Sequence, residues 1–214
     1  MAIFRFASNN VATYVREPGD VAYTDLAVEL TQLFPCWPEI VVPLLGAPEP
    51  EWIWETNPVT PVGASIGQVR YFGRAVTFTG IPAVATAFNL PIFVSILADN
   101  AFRGRLRVQN SILGVVTTTV LFDIPDGVLN PGQGFVGVSP PYRWQVVTNF
   151  SVEALVAVGI TEIRVDLEIE AVNYAQENGN PTSNPAGVQF LLEVSNVPTI
   201  TQPVVTDVVP VPLF

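Results

Sequence analysis

The sequence predicts an all-β chain folded as an antiparallel two-sheet β-sandwich or jelly roll. Three observations carry that expectation. Segments of alternating apolar and polar residues recur along the chain, Gly, Pro, Asn and Asp cluster between them, and no stretch holds a convincing helical stripe. The length of 214 residues suits one domain with a sizeable core.

Residues 1–15 read as an N-terminal arm or strand. Ile3–Phe6 is extended with Phe4 and Phe6 on one face, Ser8-Asn9-Asn10 forms a polar break, and Val11–Val15 is a second extended piece. The sandwich domain is expected over 16–197. Within it, residues 24–34 (TDLAVELTQLF) fit both periods. Leu26, Val28 and Leu30 alternate, whereas Leu26, Leu30 and Leu33 make a helical stripe; the strand reading is preferred. Residues 35–61 hold seven of the 20 prolines and three of the 4 tryptophans. Proline gives no ladder donor, so this segment is expected to be a long ordered loop packed over the sandwich.

Further strands are expected at Ile66–Tyr71, Val76–Thr79, Pro91–Leu97, Arg103–Gln109 and Ile112–Phe122. The clearest three are Trp144–Ala154, Ile163–Val172 and Gly187–Ser195. In IRVDLEIEAV, Ile163, Val165, Leu167, Ile169 and Ala171 alternate with Arg164, Asp166, Glu168 and Glu170. A strand puts the first set on one face, whereas a helix would scatter it. Residues 198–214 form an extended, apolar C-terminal arm, with prolines at 198, 203, 210 and 212 that break a regular strand.

Composition prunes the chemistry. Apolar residues make up 49% and charged residues 13%, and the net charge is −10. A charge-poor chain has either a neutral surface or one covered by partners. The acidic balance argues against a nucleic-acid partner, which needs a basic footprint. All 9 cations are Arg and there is no His. Catalysis through His, His-ligated metals and Schiff bases through Lys are therefore excluded. Cys36 reads as a small buried hydrophobe. The uncharged run Ala75–Ala98 contains Gly80, Pro82, Asn89 and Pro91, which fit two strands and a turn rather than a membrane helix. No membrane insertion is expected. The start, MAIFRFASNNVATYV, lacks a basic and apolar leader. The expected location is extracellular or a particle or cell surface, without a recognisable signal peptide, with a cytoplasmic location as the alternative.

Asp166, Glu168 and Glu170 share one strand face, a spacing at which a retaining glycosidase could place its two carboxyls. The row resembles the E-x-D-x-E strand of the β-jelly-roll glucanases over five residues, with the order D-x-E-x-E here. The resemblance implies a nucleophile and an acid in this row. The preferred reading is a solvated, non-catalytic sheet face. Arg103, Arg105 and Arg107 form a complementary row, expected to pair with the acids across strands or across a subunit boundary. Trp52 and Trp54, two apart, could stack a glycan, but packing against protein is preferred. No cofactor is expected; calcium would suit Asp123 and Asp126, or the loop 176–184, by its preference for hard oxygen ligands.

The arms suggest a role. Phe4, Phe6, Val204, Val205, Val208, Val209, Leu213 and Phe214 offer apolar surface that a neighbour's groove could bury by strand addition. The expectation is a structural, self-assembling subunit, a homo-oligomer or polymer built from β-sandwich contacts and terminal arms. This plan resembles in outline that of capsid, pilus or spore-layer subunits. A glycan- or ligand-binding module is the alternative, and a jelly-roll glycoside hydrolase the third.

Overall fold

A computed structural model describes residues 2–31, 37–42, 48–56, 68–81, 86–99, 101–125, 146–173, 186–198 and 204–214. Strands β1 (Ala2–Ala7), β2 (Tyr14–Arg16), β3 (Asp25–Leu26), β4 (Val28–Glu29) and β5 (Ile53–Trp54) open the chain. The long strands follow: β6 (Gln68–Thr79), β7 (Phe88–Asp99), β8 (Ala101–Ile112), β9 (Val115–Pro125), β10 (Thr148–Val156), β11 (Glu162–Asn173) and β12 (Gly187–Val197). A short β13 (Val204–Val208) ends it, and no helix occurs among the described residues.

These strands build two antiparallel sheets. In sheet A the order is β10-β7-β12, and β12 is flanked by β1 along most of its length and by the β5-β4 pair at one end. In sheet B it is β9-β8-β11-β6, with β2-β3 and β13 sharing the far edge of β6. Ile163, Val165, Leu167 and Ile169 of β11 are buried with Phe72, Val76 and Phe78 of β6. Leu90, Ile92, Val94 and Ile96 of β7 and Phe190, Leu192 and Val194 of β12 complete that core.

Several boundaries differ from the sequence reading. The expected strands 66–71 and Val76–Thr79 meet in one strand, β6, which is described from Gln68, because Phe72, Gly73, Arg74 and Ala75 keep their pairing to β11. The chain turns at 10–12 instead of extending from Val11: Asn9 Oδ1 accepts from the N–H groups of Val11 and Ala12, which curls the chain before β2. Leu113 and Gly114 both have positive φ, 49° and 80°, and divide β8 from β9 as a tight hairpin. Residues 25–29 form two strand fragments in different sheets, with the buried Ala27 at the crossing.

The terminal segments do not extend from the molecule as arms. Residues 2–7 are an integral strand paired to β12, and the rings of Phe4 and Phe6 meet Phe78 edge-on at 5.2 and 6.1 Å. Val204–Val208 pairs with β6, and the residues after it cross the outer face of sheet B. Of the expected loop 35–61, residues 37–42 and 48–56 are described, and within them Ile53–Trp54 is strand β5, paired with β4 and β12 in sheet A. Cys36 lies outside the described residues.

Candidate functional site: a covered row of carboxylates

The outer face of β11 carries Asp166, Glu168 and Glu170 between two neighbouring strands. Antiparallel register sets them opposite Arg107, Arg105 and Arg103 of β8, and opposite Ala75, Gly73 and Tyr71 of β6. Two of the three expected pairs form across strands within one chain, Arg107 with Asp166 and Arg103 with Glu170. The acids are nevertheless not solvated: Asp166 and Glu168 are 0% exposed and Glu170 is 8% exposed. Alternation could not reveal this, because the cover comes from both ends of the chain, Arg16 and Tyr23 from one and residues 209–214 from the other.

Each acid has a different set of partners. Asp166 lies between two guanidiniums, Arg107 at 2.9 Å and Arg164 at 2.7 Å. Glu170 pairs with Arg103. Glu168 does not use the arginine opposite it. Its Oε1 accepts from Arg16 Nε and Nη2 at 3.0 and 2.8 Å and from the Tyr23 hydroxyl at 2.6 Å. Its Oε2 accepts from the main-chain N–H groups of Leu213 and Phe214, the latter at 3.0 Å. Arg105 instead pairs with Asp123 at 2.9 Å and donates to the carbonyl of Leu213.

The small residue opposite Glu168 makes this possible. A Cβ on Gly73 would lie 2.7 Å from both Pro210 Cγ and Tyr23 Cζ, so those two side chains occupy the space a larger residue would fill. The C-terminal segment then crosses the face. Arg164 donates to the carbonyl of Val209 at 2.8 Å, and the Phe214 ring lies 4.3 Å from the guanidinium carbons of both Arg103 and Arg105. Arg16 sits 3.9 Å over the ring of Tyr71. Buried charge is tolerated only when paired and hydrogen-bonded, and here both oxygens of Glu168 are engaged. Burial first, then the charge of Glu168, raises the Tyr23 hydroxyl well above its ordinary value of 10.0. Burial works against the charge of Arg16, but its hydrogen bond to Glu168 and the charge there outweigh it and the net shift is upward. Arg74, on the opposite face of β6, is lowered by burial against the partial offset of Asp207.

Trp52 and Trp54 are 3% and 0% exposed and face protein. Trp52 stacks on Trp37 at 4.3 Å, and Trp54 tilts against Phe72 at 5.2 Å. Neither offers a free ring to a sugar. Asp123 is engaged by Arg105, while Asp126 and residues 176–184 lie outside the described residues. No group of three or more acidic, Cys or His residues is placed to hold a metal among the described residues. No helix there is long and apolar enough to cross a membrane. Beside Arg16 a cleft of about 330 Å³ is lined by Glu17, Asp20, Asp25, Glu55 and Arg70, and Arg70 is held by Glu55 and Glu17.

Sequence reading missed Arg16, Tyr23, Arg164 and Gly73. Gly73 was the one available signal: a lone glycine inside a long strand marks a close approach. The chain matches no protein-family model and no curated protein. Fold and site define a β-sandwich whose ionic layer clamps its own C-terminal segment.

Proposed function

We propose that this protein is a structural, self-assembling subunit whose copies join along one side of the sandwich. The observation that carries the reading is an asymmetry of edges. On one side the sheets end in fragments: β1 has 6 residues, β13 has 5, β2 has 3, and β3 to β5 have 2 each. Short edge pieces are how sheets discourage edge-to-edge pairing. On the other side β9 and β10, of 11 and 9 residues, lie together and have no outer neighbour among the described strands. On that side Val115 and Leu121 are 68% and 58% exposed, and Asp123 is the one charge in VVTTTVLFDIP.

The order of the eight main strands supports the reading as a frame. Placing β1, β12, β7 and β10 in one sheet and β6, β11, β8 and β9 in the other supports a jelly-roll reading of the sandwich. Jelly rolls serve shells and sugar-binding proteins alike, so fold does not choose between them. The site does favour one. The carboxylates are sealed and saturated, which supports a non-catalytic role, and the tryptophans are consumed by the core. The segments first expected to reach a neighbour are used internally, so assembly rests on the open side. A charge-poor surface suits residence in an extracellular or particle-surface layer.

Sedimentation velocity over a hundredfold concentration range, with negative-stain microscopy of the top sample, tests this. Oligomers or ordered particles that grow with concentration are expected, and Val115→Lys with Leu121→Lys should return them to monomer without lowering the melting temperature. A monomer at every concentration overturns the reading.

A further inference from the structure

We infer that the β9 edge pairs with the β9 edge of a second copy, antiparallel about a two-fold axis at Leu121; this rests on the assembly reading above and gives it a geometry. The strand itself limits the register. Pairing to β8 is regular from Thr118 to Pro125 but slips between Thr118 and Val116, leaving Thr117 as a bulge. Bulges interrupt edge pairing, and Pro125 has no N–H to give. The longest regular stretch free to pair is therefore Thr118–Ile124, and pairing it with itself places Leu121 opposite Leu121.

That register is self-complementary. On the inner face Val120 meets Phe122 and Thr118 meets Ile124, which continues the core side of sheet B into the second copy. On the outer face Asp123 meets Thr119, a hydroxyl donor for its carboxylate. Like charges stay apart: the two Asp123 are offset by four residues, about 14 Å along the strands. That exceeds the screening length of about 8 Å at physiological salt. Each Asp123 also keeps its own Arg105 at 2.9 Å. A chain of net charge −10 repels its copies over most of its surface; β9 and β10 carry one acid each, Asp123 paired with Arg105 and Glu153 bonded by the Asn89 amide, so this side is where copies can meet.

The size also suits a second copy. Seven paired residues span about 24 Å, and two sheets about 10 Å apart make that side about 20 Å deep. The contact is then on the order of 500 Å² per copy, at the total of about 1,000 Å² that a specific interface needs. The β10 edges come alongside one another in the same arrangement.

Disulfide trapping tests the register in a Cys36→Ser background. Opposed residues of an antiparallel pair have Cα atoms about 4.5–5.5 Å apart, within disulfide reach. Leu121→Cys should therefore form a covalent dimer under mild oxidation at least tenfold faster than Thr119→Cys, whose own copies lie about 14 Å apart. With Leu121 intact, mixing Thr119→Cys with Asp123→Cys should give the mixed dimer. If particles form but neither link appears, the two-fold at Leu121 is wrong and assembly stands. If the protein stays monomeric and neither link appears, as it would with another segment of its own chain covering the edge, both proposals fail.

Discussion

Replacing Glu168 with Gln keeps the size of the side chain and removes its charge, and the structure sets the cost. The carboxylate is 0% exposed and accepts five hydrogen bonds, three at Oε1 and two at Oε2. An amide offers one acceptor oxygen and one donor group. If the oxygen stays toward Arg16 and Tyr23, the N–H groups of Leu213 and Phe214 face another donor. If it flips, the Arg16 side chain, 4% exposed, loses its carboxylate and keeps only the carbonyls of Glu17, Asp20 and Phe214 as acceptors. Either way Arg16 becomes a buried cation without a counter-charge, and breaking one partner of such a pair costs about 3–5 kcal/mol. Domains hold only about 5–15 kcal/mol in total. Urea unfolding followed by tryptophan fluorescence reads this directly. With a slope of about 2.5 kcal/mol per molar, the midpoint should fall by about 1–2 M. Glu153→Gln, at an exposed position of β10, serves as control and should stay within about 0.5 kcal/mol of the parent. A midpoint shift for Glu168→Gln no larger than that control would refute the claim that this carboxylate clamps the C-terminal segment.

Tyr23 makes stability depend on alkaline pH. Its folded-state value lies well above 10.0, because burial and then Glu168 oppose the phenolate, so its contribution is full below about pH 10 and is lost as pH rises beyond it. Denaturation midpoints between pH 9 and 11 should therefore fall in the parent. Tyr23→Phe should start lower, by about 1.5–3 kcal/mol for the lost bond to a carboxylate, yet fall less steeply, and equal slopes would contradict this. Gly187→Ala probes the indole stack. Its Cβ would lie 2.8 Å from Trp37 and 2.9 Å from Trp52, so tryptophan emission should shift to the red and stability should drop by about 1–3 kcal/mol; unchanged emission would mean that the stack is not held there.

The strands were legible because one face of each is apolar, and period-two alternation marks such a face without knowledge of its neighbours. Ile163 to Ile169 is the plainest case, and the structure buries those residues together. Strand ends were less legible. The division at Leu113–Gly114 depends on two positive φ values, and the turn at 10–12 depends on the side chain of Asn9. The fate of the ends was the least legible. VVTDV reads equally as an arm for a neighbour or as an edge strand for its own sheet. Only the free half of β6 next to β2 decides between them, and that vacancy appears once the sheet is built.

The acid row was legible as a row but not as a buried one, and the reason bears on what it does. Three rungs join Arg107, Arg105 and Arg103 to the level of Asp166, Glu168 and Glu170. Sliding β8 by one residue would turn the arginines into the core. Sliding it by two in one direction would set Asp166 against Gln109 and Arg103 against Val172. In the other direction Glu170 would face Ala101, and Arg107 would face Arg164. Each slip takes a carboxylate away from its matching arginine, and strands with one buried face resist only the one-residue error by hydrophobicity alone. Buried ion pairs add little net stability compared with apolar packing, but a mismatched one is costly. The layer therefore acts on register: it excludes the two-residue slips that an alternating apolar pattern would tolerate. In doing so it fixes where β9 stands relative to β11, and with it the edge that a second copy would have to meet.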